Sequence, residues 1–149
     1  MTRSALITGC SSGIGAACAR RFAAAGFTVF ATARRVETLA PLTAAGCERR
    51  QLDVTDPDSI ERVAKEIEAT HGGIDVLINN AGYGQQGAFE ELSLDDFRAQ
   101  LETNLIGAIA VTQRVLPRMR ERRCGRIVML SSMGGRLTFP GGAAYHASK

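Results

Sequence analysis

Ala5-Leu6-Ile7-Thr8-Gly9-Cys10-Ser11-Ser12-Gly13-Ile14-Gly15 passes from a short apolar run straight into a glycine-rich turn and on into a segment of helical period. An unbroken apolar run without polar alternation reads as a buried parallel strand. Beyond the turn, Ile14, Cys18, Phe22 and Ala25 recur at helical spacing, and Gly26 follows where a C-terminal glycine belongs. The first N–H groups of such a helix lack partners and lie at the positive end of its dipole, so they attract a diphosphate. Gly9 permits the tight turn, Gly13 lets the backbone approach a ligand, and Gly15 lets helix and strand pack closely, while Ser11 and Ser12 add hydroxyl donors. The stretch therefore predicts a nucleotide site at the head of a strand–helix unit.

The same alternation continues outward. Thr28–Thr32, Gln51–Leu52, Asp75–Asn79 and Arg126–Ser131 read as further strands, the last two with apolar runs like the first. Ile60, Val63, Ala64 and Ile67 mark a helix introduced by Asp56-Pro57 and closed by Gly72-Gly73. The longest helix is predicted from about Ser93 to Arg122, with Ser93 and Asp96 resembling an N-terminal cap and an acidic first turn. Phe97, Leu101, Leu105, Ala108, Val115 and Met119 form its core face, and Ile106, Ile109 and Leu116 add a second apolar stripe. That is wider than one core face needs: either the core is thick, or the helix also packs on a second subunit. Strands alternating with helices need crossovers, hence an α/β fold: a Rossmann-type doubly wound parallel sheet with five strands present. Residues 1–149 are expected to form one dinucleotide-binding domain with no second domain.

Composition narrows the function classes. The chain is 45% hydrophobic and 22% charged, which fits a globular protein, and no apolar run approaches the length of a membrane span. A net charge of +3 is too mild to argue for nucleic acid. The N-terminal residues lack a signal-peptide pattern, so a cytoplasmic location is expected. Cys10, Cys18, Cys47 and Cys124 form no CxxC pair, and neither His71 nor His146 stands near a cysteine, so reduced thiols are expected and no metal site is. Cys18 is expected to be a small core residue.

The end of the second strand bears on cofactor choice. An acidic residue there would accept hydrogen bonds from an adenosine ribose 2′-OH. Ala31-Thr32-Ala33-Arg34-Arg35 instead offers no acid before Glu37. A guanidinium suits a 2′-phosphate, which favours NADP(H) over NAD(H) with Arg34 as the reader; two solvated arginines at a helix start is the plainer alternative.

Taken in order, Thr8–Gly15, Leu52-Asp53-Val54, Asn79-Asn80-Ala81-Gly82, Asn104, Ser131-Ser132 and Tyr145-His146-Ala147-Ser148-Lys149 resemble the short-chain dehydrogenase/reductase family over the whole chain. They are similar to its TGxxxGxG turn, its adenine-side DV step, its NNAG motif, its helix asparagine, its strand-end serine and its YxxxK motif. The Ala31–Arg35 stretch looks like the NADP-preferring branch. The resemblance implies hydride transfer interconverting a small-molecule carbonyl and a secondary or primary alcohol, with Tyr145 as acid/base.

The chemistry agrees with that assignment. A phenol, with a reference pKa near 10, is poorly matched to neutral pH, and moving it to about 7 takes roughly 4 kcal/mol. Lys149, four residues on and on the same helical face, supplies a cation that favours phenolate. The resemblance further implies that Lys149 holds the nicotinamide ribose and that Asn104 anchors a water of a proton relay. It gives the substrate oxygen to Ser132, chosen over Ser131 for its spacing to Tyr145. Asp53, Val54, Asn80, Ala81 and Gly82 join Gly9, Ser11, Ser12, Gly13, Ile14, Gly15 and Arg34 as cofactor-binding residues. Asn79 and Asn80 also suit a structural role, their amides tying neighbouring strands. His146 should point off the Tyr145 face, and His71 suits a helix end. The Gly134–Gly142 loop, with Phe139 and Pro140, either borders a substrate pocket or is a plain turn.

Family members continue beyond their YxxxK motif, so the chain is expected to be an N-terminal portion. The complete protein is expected to form a homo-oligomer through the 93–122 helix. Two alternatives stand beside the enzyme: a catalytically inactive dinucleotide-binding or sensing fragment, and an interaction domain using the long helix.

Overall fold

The computed structural model describes residues 2–149. β1 (Ser4–Ile7), β2 (Thr28–Ala33), β3 (Glu48–Gln51), β4 (Val76–Asn79) and β5 (Arg126–Met129) form one sheet in the order β3-β2-β1-β4-β5. All four pairings are parallel. The connections carry α1 (Gly13–Ala24), a short α2 (Ala40–Thr43) preceded by a 3-10 turn at Val36–Leu39, α3 (Pro57–His71), α4 (Leu94–Leu101) and α5 (Gly107–Glu121). α6 (Ala143–Ser148) follows β5. Among the described residues no helix is long and apolar enough to cross a membrane.

Strand alternation divides the core between the two faces of the sheet. Ala5, Ile7, Val29, Ala31 and Ile78 face Ala16, Ala19, Leu39 and Leu42. Leu6, Phe30 and Leu77 face Ile60, Val63 and Ile67 of α3 and Val111, Val115 and Met119 of α5. α3 begins at Asp56, whose carboxylate accepts the Asp58 N–H at 3.0 Å, and ends at Gly72 with φ 73°. α4 opens on the reciprocal Ser93–Asp96 capping box. Arg114 joins α3 to α5, forking onto Glu68 at 2.8 and 2.9 Å and also bonding Glu61.

Four expectations need correction. The third strand is Glu48–Gln51, ending before Leu52; as an edge strand it alternates half-buried and exposed polar residues and has no apolar run. The buried stripe of α1 is Gly15, Ala16 and Ala19, with Cys18 and Phe22 packed partly against the core, whereas Ile14 is 63% exposed and Ala25 is exposed. Small residues win there because the helix lies close to the sheet. The long helix is broken by a π-helical turn at Glu102–Ile106, and its inner face is Gln100, Asn104, Gly107, Val111, Val115 and Met119. Leu105 and the stripe of Ile106, Ile109 and Leu116 are exposed, so that stripe does not thicken this core. β5 stops at Met129, short of the expected Ser131, and as an outer strand among the described residues it exposes Val128 and Met129.

Asp75 latches the entrance of β4 to β1. Its carboxylate accepts the Ser4 N–H at 2.8 Å and bonds Arg122, and its own N–H donates to Ser4 Oγ at 3.1 Å. Burial pushes this carboxyl upward, but the hydrogen bonds from Ser4 and Arg122 outweigh it and hold the group below its ordinary value of 3.8. A depressed folded-state value means that the stabilisation is complete above the unfolded value and is lost as pH falls through the folded one. Asp75→Asn is therefore expected to lower stability at neutral pH by about 1–3 kcal/mol. Denaturant melts should show this penalty shrinking as pH drops below about 4.

Candidate active site

The turn after β1 is built by close approach. The Cys10 N–H donates to Thr32 O at 2.8 Å and the Thr8 N–H to Ile78 O at 3.0 Å, placing the turn between the ends of β2 and β4. Gly9 has φ 71°, and a Cβ there would lie 2.7 Å from the Ala81 Cα. A Cβ on Gly15 would lie 2.3 Å from Gly9 O and 2.4 Å from Asn80 Nδ2. Gly13, with φ 56°, has nothing within 4 Å of its Cβ position. α1 starts at Ser12 without a side-chain cap and without an acid in its first turn, leaving its N-terminal donors to a ligand.

Asn80 and Thr8 lock the turn from behind. Asn80 Nδ2 donates to Thr8 O and Gly9 O, both at 2.9 Å, while Thr8 Oγ1 accepts the N–H groups of Asn80 and Ala81 at 3.0 Å. Asn79 donates to Thr112 Oγ1 at 2.8 Å. The Asn80 amide thus ties the end of β4 to the turn after β1, and the Asn79 amide ties it to Thr112 of α5 and to Met129 Sδ of β5.

A cavity of about 500 Å³ opens over this turn. Gly9, Ser11, Ser12, Gly13, Ile14, Arg34, Asp53, Val54, Asn80, Ala81 and Gly82 all line it, together with Thr103. Gly15 is packed behind it. Asp53 is committed to its own loop, accepting from Thr55 N–H at 3.0 Å and Thr55 Oγ1 at 2.8 Å. Gly107 lets α5 lie against this wall, since a Cβ there would be 2.7 Å from Val54 Cγ2. Cys10, although in the turn, is buried, and desolvation pushes its thiol up to about 12, which keeps it an inert packing group.

A second cavity, of about 350 Å³, shares Ile14, Asn80, Gly82 and Tyr83 with the first. Tyr145 and Lys149 line it beside Leu130, Ser131 and Phe139. Lys149 Nζ donates to Leu130 O at 3.1 Å. The strand-end serines divide: Ser131 lines the cavity and donates to Lys149 O at 3.2 Å, whereas Ser132 Oγ accepts the Gly134 N–H at 3.1 Å and is not among the lining residues. His146 stands off the cavity and pins the Gly134–Gly142 loop. Its Nε2 accepts the Phe139 N–H at 3.2 Å, so Nδ1 carries the hydrogen donated to Gly134 O at 2.9 Å. His71 ends α3 with its ring edge-on to Phe30.

Asn104 sits in the π-helical turn and is buried. Its Oδ1 accepts the Tyr83 N–H at 3.0 Å, and its Nδ2 donates to Tyr83 O and Ser148 Oγ, both at 2.9 Å. Both Nδ2 hydrogens are thereby used, so a water held at Asn104 must be taken by the second lone pair of Oδ1 or by the main chain. Ser148 passes the connection on, donating to Tyr145 O at 2.8 Å. Thr8, Tyr83, Gln100 and Ser148 are the participants that sequence reasoning missed. Gln100 carried no signal, because it lies off the apolar face that the pattern marks with Phe97, Leu101 and Leu105. Among the described residues no group of three or more His, Cys, Asp or Glu could hold a metal ion.

The sequence profile of the short chain dehydrogenase family matches residues 3–149. The chain belongs to the short-chain dehydrogenase/reductase family. It is 42% identical over 153 residues to Oxidoreductase BOA17 of Botryotinia fuckeliana, a match covering 100% of the chain and 56% of that protein. A short-chain dehydrogenase from Streptomyces avermitilis superposes with TM-score 0.95 at 46% identity, covering 100% of the chain and 56% of its own. The F189W actinorhodin polyketide ketoreductase, solved with NADPH, gives TM-score 0.93 at 40% identity, covering 99% and 59%. The chain thus spans about half the length of the curated relatives it matches. The Rossmann-type architecture expected of this family is the one found.

Removing the lock behind the turn should be costly. Thr8→Val leaves the Asn80 and Ala81 N–H groups without their acceptor, and the expected loss is about 1–3 kcal/mol. Gly15→Ala, which drives a methyl into Gly9 O, should be worse still. Thermal denaturation followed by circular dichroism measures both.

Proposed function

We propose that the chain is the cofactor and catalytic portion of an NADP(H)-dependent oxidoreductase that interconverts a carbonyl and an alcohol. The observation that carries this reading is the continuity of the two cavities: Ile14, Asn80 and Gly82 line both the space over the glycine turn and the space holding Tyr145 and Lys149. The first cavity fits a dinucleotide, since its floor is an uncapped helix N-terminus approached through Gly13. When bound, the nicotinamide supplies the hydride. The chain's own residues do the rest. The glycine turn with Ser11 and Ser12 takes the diphosphate, and Asp53, Val54, Ala81 and Gly82 wall the remainder.

Tyr145 gives its phenolic proton to the oxygen of the reacting carbonyl, and the Lys149 ammonium stabilises the phenolate left behind. Ser132 is assigned the substrate oxygen, with Ser131 as the rival because it lines the cavity. Asn104 holds the wall opposite. The exposed stripe of Ile106, Ile109 and Leu116 is proposed as the contact of a homo-oligomer. Arg34, exposed at the cavity, is proposed to read a 2′-phosphate, which the NADPH bound to the related ketoreductase supports.

Titration with NADPH and NADH, read by nicotinamide fluorescence, tests the cofactor assignment. NADPH should bind at least about tenfold tighter than NADH, and Arg34→Ala should remove that margin, as the loss of a charge-assisted hydrogen bond worth about 1.5–3 kcal/mol requires. Equal affinities in the native chain would refute the preference. With a panel of carbonyls, Tyr145→Phe should lower kcat by roughly 10²–10⁴. Comparing Ser131→Ala with Ser132→Ala identifies which hydroxyl holds the oxygen. Binding without turnover on any carbonyl would instead assign the chain as a dinucleotide sensor.

A further inference from the structure

Gln100 is the largest polar side chain in the core, at 0% exposure, and no part of the chemistry proposed above uses it. It lies in α4, four residues before Asn104, on the inner face that continues as Gly107, Val111 and Val115. Both ends of its carboxamide bond one short piece of backbone. Oε1 accepts the Gln85 N–H at 2.6 Å, and Nε2 donates to Tyr83 O at 2.8 Å. Asn104 bonds the same Tyr83 through both its N–H and its O. Two buried carboxamides on successive turns thus supply the partners that a neighbouring strand would supply.

Residues 81–86, the segment so held, have no regular structure, and Tyr83 and Gly84 are exposed. They also form the wall facing Tyr145: Tyr83, Gly84 and Gln86 line that cavity, and a Cβ on Gly84 would stand 3.8 Å from the Tyr145 ring. Ala81 packs against the core and is held by Thr8, whereas the backbone hydrogen bonds of Tyr83 and Gln85 go to the two carboxamides.

We infer that Gln100 is a positioning residue, a buried clamp that fixes the Tyr83–Gln85 wall at the Tyr145 end of the site. The inference rests on the dinucleotide reading for its functional consequence, but not for the clamp. A loosened wall disturbs the nicotinamide end of the site and leaves the adenosine end, over Arg34 and Asp53, untouched.

Two measurements test it. In the native chain the Gln85 amide should be protected from hydrogen exchange by at least about a hundredfold, while Gly84 and Gln86 on either side exchange freely. An unprotected Gln85 amide overturns the inference whether or not any variant folds. Gln100→Leu, similar in size but unable to bond, should speed Gln85 exchange at least about tenfold while Leu77 in β4 keeps its protection. Gln100→Glu keeps the acceptor for Gln85 and should retain most of that protection. In Gln100→Leu, NADPH affinity should fall about tenfold, with 2′,5′-ADP affinity unchanged within about twofold. Parallel weakening of both ligands, or of neither, refutes the positioning role. If the native chain binds neither ligand, the cofactor reading fails and the inferred role at the nicotinamide end falls with it, while exchange alone still judges the clamp.

Discussion

Everything in the site hangs on the contact between the turn after β1 and the end of β4. Thr8 and Asn80 exchange four hydrogen bonds across it with Gly9 and Ala81. The Gly9 and Gly15 positions are already at contact distance, so the two chain segments approach as closely as backbone allows. This is an all-or-none constraint: a single methyl on the inner side separates the strands. The outer side, at Gly13, is open. The turn is consequently rigid on the side that faces protein and accessible on the side that faces a ligand, which is the division of labour an anion site on a helix N-terminus requires.

What the sequence made legible follows from how many physical demands each stretch satisfies at once. Ala5–Gly15 was readable because burial of the strand, turn geometry and helix start all select the same residues. β3 was not, because an edge strand needs only pairing. Glu48-Arg49-Arg50-Gln51 carries no apolar signal, and Arg50 is held by Glu48 and Glu66. The buried face of α1 was misassigned because hydropathy points to Ile14 and Ala25, while close packing on the sheet selects by volume and takes Gly15, Ala16 and Ala19. Family resemblance supplied Tyr145 and Lys149, and the structure opens both onto one cavity. The orientation of Ser131 against Ser132 depends on where β5 stops pairing, which no residue pattern announces.

The long helical segment shows the same tension between two uses of one element. Its C-terminal half, α5, buries Val111, Val115 and Met119 against the sheet and is locked to α3 by Arg114. Its N-terminal half, α4, buries Gln100 instead, and the joining turn buries Asn104. The π-helical turn lies between them, and such turns recur where a helix is bent to functional use. Apolar burial in one half stabilises the fold; satisfied carboxamides in the other fix an irregular wall that cannot stabilise itself.

The strand order has a consequence for how the protein is made. β1 is central, yet its two neighbours are reached at very different times along the chain: β2 begins at Thr28, while β4 begins at Val76. As the chain emerges from a ribosome, the partner of Ser4–Ile7 in β2 is available early, whereas its other edge has unpaired backbone groups until residues 76–79 have appeared. Closing that edge joins segments roughly 70 positions apart, a non-local step of the kind that slows folding. The nascent chain therefore passes through a stage in which its most buried strand is its most adhesive surface.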